Sequence, residues 1–282
     1  MDNHSFDQPL SRRRFTQNIA ASTLIAALHP AFAFCNLMPK MASATARIKS
    51  LRLLTGAPLA EMKHFYHDLL ELPILNEKSN ELSIRAGETD ITFLKVDATQ
   101  QPFYHFAFNI PENKIIAARN WQKERSPLFA TPPHMIDSNY PNDIRHFQNW
   151  NAHSVFFWDP AGNILEYIAR HDLKNSASGN FSGKDILCAS EIGFVVDDAT
   201  NTAELVKTTF GLEQYRGGDD NFRAIGDENG LLLIFKRGRQ IGDQTGGKPK
   251  FCNEIFKTEV EIQGASDKKL SIPSYPYQIS AI

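Results

Sequence analysis

The sequence predicts an α+β fold of repeated β-α-β-β-β modules, two of them paired around a cleft and a third following. Three observations predict it. Segments opening at Ile48, Tyr104 and Ser190 share one layout, a strand, a helix, then further strands. The first two open 56 residues apart, and the third follows after a longer loop and a linker, as repeated units do. A curved sheet with a helix on one face leaves the other face uncovered, so two units should pair and enclose a cleft.

The first unit opens with the alternating strand Ile48 to Leu54. Pro58 starts a helix in which Met62, Phe65, Tyr66 and Leu69 recur at helical spacing, and Leu72-Pro73 stops it. Short strands follow, ending in Ile91 to Val96. The second unit begins at Tyr104 to Ile110. Pro111 precedes its helix, where a missing N–H costs little, and Ile115, Ala118 and Trp121 mark the buried stripe. After a long polar loop, strands Ser154 to Trp158 and Ile164 to Ala169 are joined by Asp159-Pro160-Ala161-Gly162-Asn163, a run with turn chemistry. Lys174 to Gly183, rich in Asn, Ser and Gly, reads as a linker. The third unit has a strand at Ser190 to Val196, a helix at Ala203 to Phe210 ended by Gly211, and strands reaching Phe235. The polar remainder holds one credible strand, Thr258 to Ile262. The expected organisation is a signal and linker over 1–46, a paired domain over 47–172, a linker over 173–184, and a third module with a C-terminal extension over 185–282.

The bulk chemistry narrows the function. Charged residues make up 22% and hydrophobic ones 42%, and the formal net charge of -2 supplies no basic field for nucleic acid. No apolar run approaches the roughly 20 residues that span a bilayer. The N-terminus is a separate matter. Arg12-Arg13-Arg14-Phe15, the apolar stretch Ile19 to Phe34 and the small-x-small site Ala31-Phe32-Ala33 follow the order of an export signal. The arginine pair resembles a twin-arginine signal, which implies a periplasmic protein. Cys188 and Cys252 could pair there or stay as buried thiols.

Two motifs inside the repeat resemble those of the vicinal-oxygen-chelate (VOC) superfamily, the glyoxalase, bleomycin-resistance and extradiol-dioxygenase group. Phe65-Tyr66-His67-Asp68-Leu69-Leu70-Glu71-Leu72 is similar to its first-helix signature. Phe157 to Glu166 looks like its second signature, a strand, an Asp-Pro turn and a strand ending in a ligand glutamate. The resemblance covers about residues 48–170 well, with a weaker copy over 188–236. It implies a VOC-type cleft between two paired modules and a small-molecule ligand. It leaves the reaction open, because the fold serves many chemistries.

The resemblance also implies that metal ligands come from the first and last strands of each unit. In the second unit those places hold His105 and Glu166. Tyr104, Phe106 and Phe108 form one face of their strand, which turns His105 to the other. Glu166 lies between Ile164 and Ile168 on its face, where a lone carboxylate is expensive unless paired or ligated. Imidazole with carboxylate suits a divalent iron, manganese, zinc or nickel ion. The first unit departs from the pattern, with Ser50 and Thr92 in the ligand places. His153 is the nearest substitute, although its parity is opposite to that of Phe156. Arg52 and Phe156 are candidate substrate contacts, and Leu94 another apolar liner. Glu191 occupies the first-strand place of the third unit, where without a partner unit it reads as a solvated charge. Two functions fit these residues. One is a metal-dependent lyase, isomerase or dioxygenase acting on a small oxygenated molecule. The other is a metal-free binding or sequestering protein. The unpartnered third unit also suggests a homodimer.

Overall fold

The first module consists of β1 (Ile48–Thr55), α1 (Leu59–Lys63), β2 (Ile74–Lys78), β3 (Glu81–Ala86) and β4 (Thr89–Lys95). Helix α1 continues as a wider π-helical turn over His64–Leu69, in which the Leu70 N–H donates to the Phe65 carbonyl at 2.9 Å. The second module has β5 (His105–Ile110), α2 (Ile115–Lys123), β6 (Arg145–Phe147), β7 (Ala152–Trp158) and β8 (Ile164–Arg170). The third has β9 (Cys188–Val196), α3 (Ala199–Phe210), β10 (Phe222–Asp227) and β11 (Gly230–Lys236), then a small ribbon of β12 (Gln240–Ile241) and β13 (Lys250–Phe251). Strands β14 (Thr258–Ile262), β15 (Lys269–Ser271) and β16 (Tyr277–Ala281) close the chain. This computed structural model describes residues 46–241, 250–264 and 267–282. The expected export signal at Ser11 to Phe34 lies outside the described residues.

One rule orders every module. The first strand lies parallel to the last: β1 to β4, β5 to β8, β9 to β11 and β14 to β16. Parallel neighbours need a long crossover, which a helix supplies in the first three modules. Modules then join through their first strands, antiparallel, β1 with β14 and β5 with β9. Two seven-stranded sheets result, in the orders β15-β16-β14-β1-β4-β3-β2 and β10-β11-β9-β5-β8-β7-β6.

The fold class is the expected α+β arrangement of repeated modules, but the partners differ from the expected ones. The second module pairs with the third, and the first pairs with the C-terminal strands. The reason lies in β14 to β16. These strands form a fourth, helix-less module that gives β1 its antiparallel neighbour and leaves β5 free to pair with β9. The third module therefore has its partner within the chain, which removes the observation that suggested a dimer. Among the described residues no helix is long and apolar enough to cross a membrane. Cys188 and Cys252 are both free, and burial pushes their thiols up to about 11 and about 12.

Strand alternation sorts the side chains. Leu51 and Leu53 of β1, Phe106 and Phe108 of β5, Phe194 of β9 and Val260 of β14 enter one core together with the helical residues Met62, Tyr66 and Val206. The alternate positions, among them Ser50 and Arg52 on β1 and His105 and Ala107 on β5, face away from it.

The Asp159–Asn163 turn is fixed to this core. Asp159 accepts from the Tyr66 hydroxyl at 2.8 Å, from the Asn163 N–H at 2.8 Å and from Asn163 Nδ2 at 2.7 Å. The Asn163 side-chain oxygen in turn accepts the Tyr104 N–H at 2.8 Å, directly before β5. Gly162, at φ +80°, supplies the left-handed step that the turn requires. One carboxylate thus ties the first helix to the strands that carry His105 and Glu166. Asp159→Ala leaves three donors unmatched and is expected to destabilise the protein by about 3 kcal/mol in urea unfolding. A loss below about 1 kcal/mol would show that the turn holds without it.

Candidate active site

A cavity of about 370 Å³ opens on the concave face of the second sheet, between the second and third modules. That volume suits a small molecule. Its walls are apolar and aromatic, with Phe147, Phe156, Phe222 and Phe235 among them, and two arginines, Arg145 and Arg239, also line it. The Arg145 guanidinium lies 4.4 Å from the Phe156 ring centre, and that of Arg239 lies 4.6 Å from Phe222. Gly193 keeps β9 thin at this point, since a Cβ there would meet the Phe235 ring at 2.7 Å.

Three ionisable side chains converge at the base. His105 Nε2 lies 3.6 Å from a Glu166 carboxylate oxygen and 3.9 Å from one of Glu191. All three residues are buried. His105 and Glu166 arrive by the alternation of β5 and β8, which pair in parallel with Ala107 opposite Glu166. Glu191 comes from β9, where Ile192 and Phe194 enter the core and turn it toward the cleft.

The hydrogen bonds set the protonation of this group. His105 Nδ1 lies 3.1 Å from the Ile164 carbonyl oxygen, which can only accept. Nδ1 therefore carries the proton, and the bare Nε2 lone pair points at the carboxylates. Burial, reinforced by the Arg145 charge, pushes His105 down to about 4, so the ring is neutral at pH 7. Burial pushes Glu166 well above the usual carboxylate range, and the Glu191 charge adds to the rise. Burial also raises Glu191, but Arg170 opposes this with its charge and a hydrogen bond. Arg170 is buried at the end of β8, donates to a Glu191 carboxylate oxygen through Nη2 and to the Asn109 side-chain oxygen through Nε at 3.1 Å.

A neutral imidazole nitrogen and two carboxylates, with ligand atoms within 4.8 Å of one another, form a donor set suited to one divalent cation. An unprotonated nitrogen faces two carboxylates, one of them raised first by burial and then by like charge, so a cation between them would favour the ionised donors. Among the described residues three donors converge here. The place in β11 that matches Glu166 holds Leu233, which pairs with Gly193 as Glu166 pairs with Ala107.

The remaining sequence candidates divide between this cleft and other places. Phe156 lines the cleft, its ring stacked near His105 with centres 6.1 Å apart. Arg52 does not. It lies on the other sheet, where it pairs with Glu259 at 3.2 Å and Glu81 at 3.7 Å. Ser50, Thr92 and Leu94 are on that sheet too, so the ligand-poor first unit takes nothing from the cleft. His153 is turned to the opposite face of β7 and lies by Asp137 and His146. Glu191, read from sequence as solvated, is 2% exposed and belongs to the convergent group, because the third module has a partner after all. Arg170, Arg145 and Arg239 went unread. Arg170 had a signal, since it continues the alternation of Glu166 and Ile168 along β8.

No protein-family model matches the chain, and no curated protein matches it by sequence. Solved structures do match. A "putative dioxygenase" from Bacillus subtilis superposes with a TM-score of 0.54 at 15% identity, over 85% of this chain and 86% of that one. A glyoxalase I mutant from Zea mays superposes with a TM-score of 0.50 at 12% identity, over 84% and 94%. At these identities the likeness is one of fold, and that fold is the vicinal-oxygen-chelate fold.

Proposed function

Starting from a vicinal-oxygen-chelate fold with one three-donor cleft, we propose that the protein is a metal-dependent enzyme acting on a small oxygenated molecule. The reaction class is that of a lyase, isomerase or dioxygenase. The observation that carries this reading is the convergence of His105 Nε2, Glu166 and Glu191 from three strands and two modules at the base of one cavity.

His105, Glu166 and Glu191 would hold the ion, with iron, manganese, zinc or nickel suited to the set. Such an ion, when bound, polarises substrate oxygens and stabilises negative charge that develops on them. The chain's own residues do the rest. The Ile164 carbonyl fixes the His105 tautomer and its ring plane. Arg170 opposes the rise that burial imposes on Glu191 and holds its carboxylate in place. Glu166 is the carboxylate whose surroundings favour the protonated form most, which suits it to take up and return a proton at its carboxylate oxygen. Phe147, Phe156 and Phe235 exclude water from the apolar body of the substrate. Arg145 and Arg239 favour a substrate with an anionic or strongly polar head. The twin-arginine-like segment supports placing this activity in the periplasm.

The test is a panel of vicinally oxygenated anions, including hydroxy acids, oxo acids and catechol carboxylates. It is run with protein loaded separately with each of the four ions. Turnover of at least one compound, lost in His105→Ala and Glu166→Gln, is expected. Binding of the panel that is indifferent to metal and unchanged in Glu166→Ala would instead establish the second reading, a metal-free binder. One observation favours that alternative: Arg170 already supplies one positive charge to the carboxylate pair.

A further inference from the structure

A second cluster of donors lies behind the cleft wall, on the opposite face of the sheet. Strands β6 and β7 place His146 directly across from His153. Their rings stack with centres 4.5 Å apart, and Tyr140 covers the other side of His153 at 3.9 Å. Asp137 joins them from the preceding loop. Its Oδ1 is occupied by the Asn139 N–H at 2.9 Å and by Asn139 Nδ2 at 3.0 Å. Its Oδ2 faces the imidazoles, 3.2 Å from His153 Nε2 and 4.0 Å from His146 Nδ1.

The proton count of this group is uneven. His153 Nδ1 lies 2.8 Å from His171 Nε2, and His171 Nδ1 lies 3.5 Å from a Glu112 carboxylate oxygen. The row therefore runs carboxylate, imidazole, imidazole, carboxylate, with three contacts between acceptors. Two neutral imidazoles bring two protons, one short. One further positive charge completes the row, either a third proton or a metal ion. A metal ion at the Asp137 end lets His153 donate to His171 and His171 donate to Glu112. That is the usual outer arrangement of a metal-bound imidazole. Ligand distances of about 2.0–2.2 Å place neighbouring donor atoms roughly 3–4 Å apart, the spacing already present between Asp137 and each imidazole.

We propose that Asp137, His146 and His153 form a second site for a divalent transition-metal ion of the zinc type, separate from the cleft and structural in role. The ion would fasten the loop before β6 to β7. Arg145 and Phe147, on either side of His146, turn the other way and line the cleft, as does Met135 from the same loop. The site thus acts as a rivet behind the wall that meets the substrate. His146 is the most exposed of the three, and binding the ion would turn its ring out of the stack with His153.

The test uses metal-stripped full-length protein titrated with Zn²⁺ by calorimetry, with thermal unfolding as a second readout. Glu166→Gln isolates this site from the cleft. That variant should still bind one zinc ion tightly and gain thermal stability from it. Adding His146→Ala should weaken this binding by roughly 100-fold or more, and adding His171→Ala, which removes only the outer partner, by roughly 10-fold. Adding Asp137→Asn should weaken it as well. Zinc binding in Glu166→Gln that is absent, or indifferent to His146→Ala, overturns the proposal. Failure of the cleft reading leaves a distinct signature, since the wild-type protein would then bind one zinc ion that depends on His146 and not on Glu166.

Discussion

Glu191→Gln is expected to lower the affinity of the cleft for Mn²⁺ or Zn²⁺ on the order of 100-fold, matching Glu166→Gln. Glutamine keeps the shape of the side chain and an acceptor for Arg170, but it leaves that buried guanidinium without its counter-ion, so the titration is made at a temperature where circular dichroism shows the variant folded. What it removes is a charged donor from a set of three. The comparison is made by calorimetric titration in the His146→Ala background, so that the two sites are not confused. In the metal-stripped protein Glu166→Gln should act in the opposite direction. The folded-state value of Glu166 is raised above its unfolded value. The folded chain therefore holds a proton that the unfolded chain releases, and stability from this group falls as pH rises above the unfolded value. The slope is at most about 1.4 kcal/mol per pH unit up to the folded value. Glutamine cannot ionise, so Glu166→Gln should remove that slope and stabilise the stripped protein at alkaline pH. His105 works in the opposite sense. Its value is depressed to about 4, so its contribution is lost as pH falls through the window from the ordinary histidine value to about 4.

The second large effect concerns Arg170. It is among the largest fully buried side chains and is 1% exposed. Its guanidinium meets Glu191 and Asn109, and Asn109 Nδ2 donates onward to the Glu228 carbonyl at 2.8 Å. Arg170→Leu leaves the buried Glu191 without its cation. The expected cost in the metal-stripped protein is about 3–5 kcal/mol. For a domain of this size that corresponds to a fall in Tm of roughly 8–15 °C. Two further outcomes separate charge from packing. Arg170→Leu combined with Glu191→Leu should recover most of the loss, because a buried ion pair replaced as a whole costs little. Adding a divalent ion to Arg170→Leu alone should also recover part of it, since the ion supplies the missing charge. A double variant as unstable as the single one would mean that Arg170 acts through packing around Trp150 and Tyr215.

Much of this was legible in the sequence, and the part that was not has a physical cause. The modules could be read because alternation and helical spacing are local. Ile48 to Leu54, Phe65-Tyr66 and Tyr104 to Ile110 carry their periods within a few residues. The Asp159–Asn163 turn could be read because Pro and Gly act on their own backbone. The module pairing could not. It depends on hydrogen bonds between β1 and β14, about 200 residues apart, and on a fourth module with no helix to announce it. That single misplacement propagated. It assigned Ser50, Thr92 and Arg52 to the cleft and left Glu191 as a surface charge. The histidine cluster was only half visible for a similar reason. His153 reads as a substitute cleft ligand in spite of its opposite parity, and nothing local shows that Asp137 and His146 meet it instead.

The central claim is that one divalent ion sits between His105, Glu166 and Glu191. Crystals soaked in Mn²⁺ and measured at an energy where manganese scatters anomalously test it most directly. An anomalous peak is expected about 2.0–2.2 Å from His105 Nε2 and from a carboxylate oxygen of each glutamate. A cleft with no such peak at saturating Mn²⁺, with Arg170 and Glu191 paired and Glu166 turned to a bound organic ligand, would contradict it.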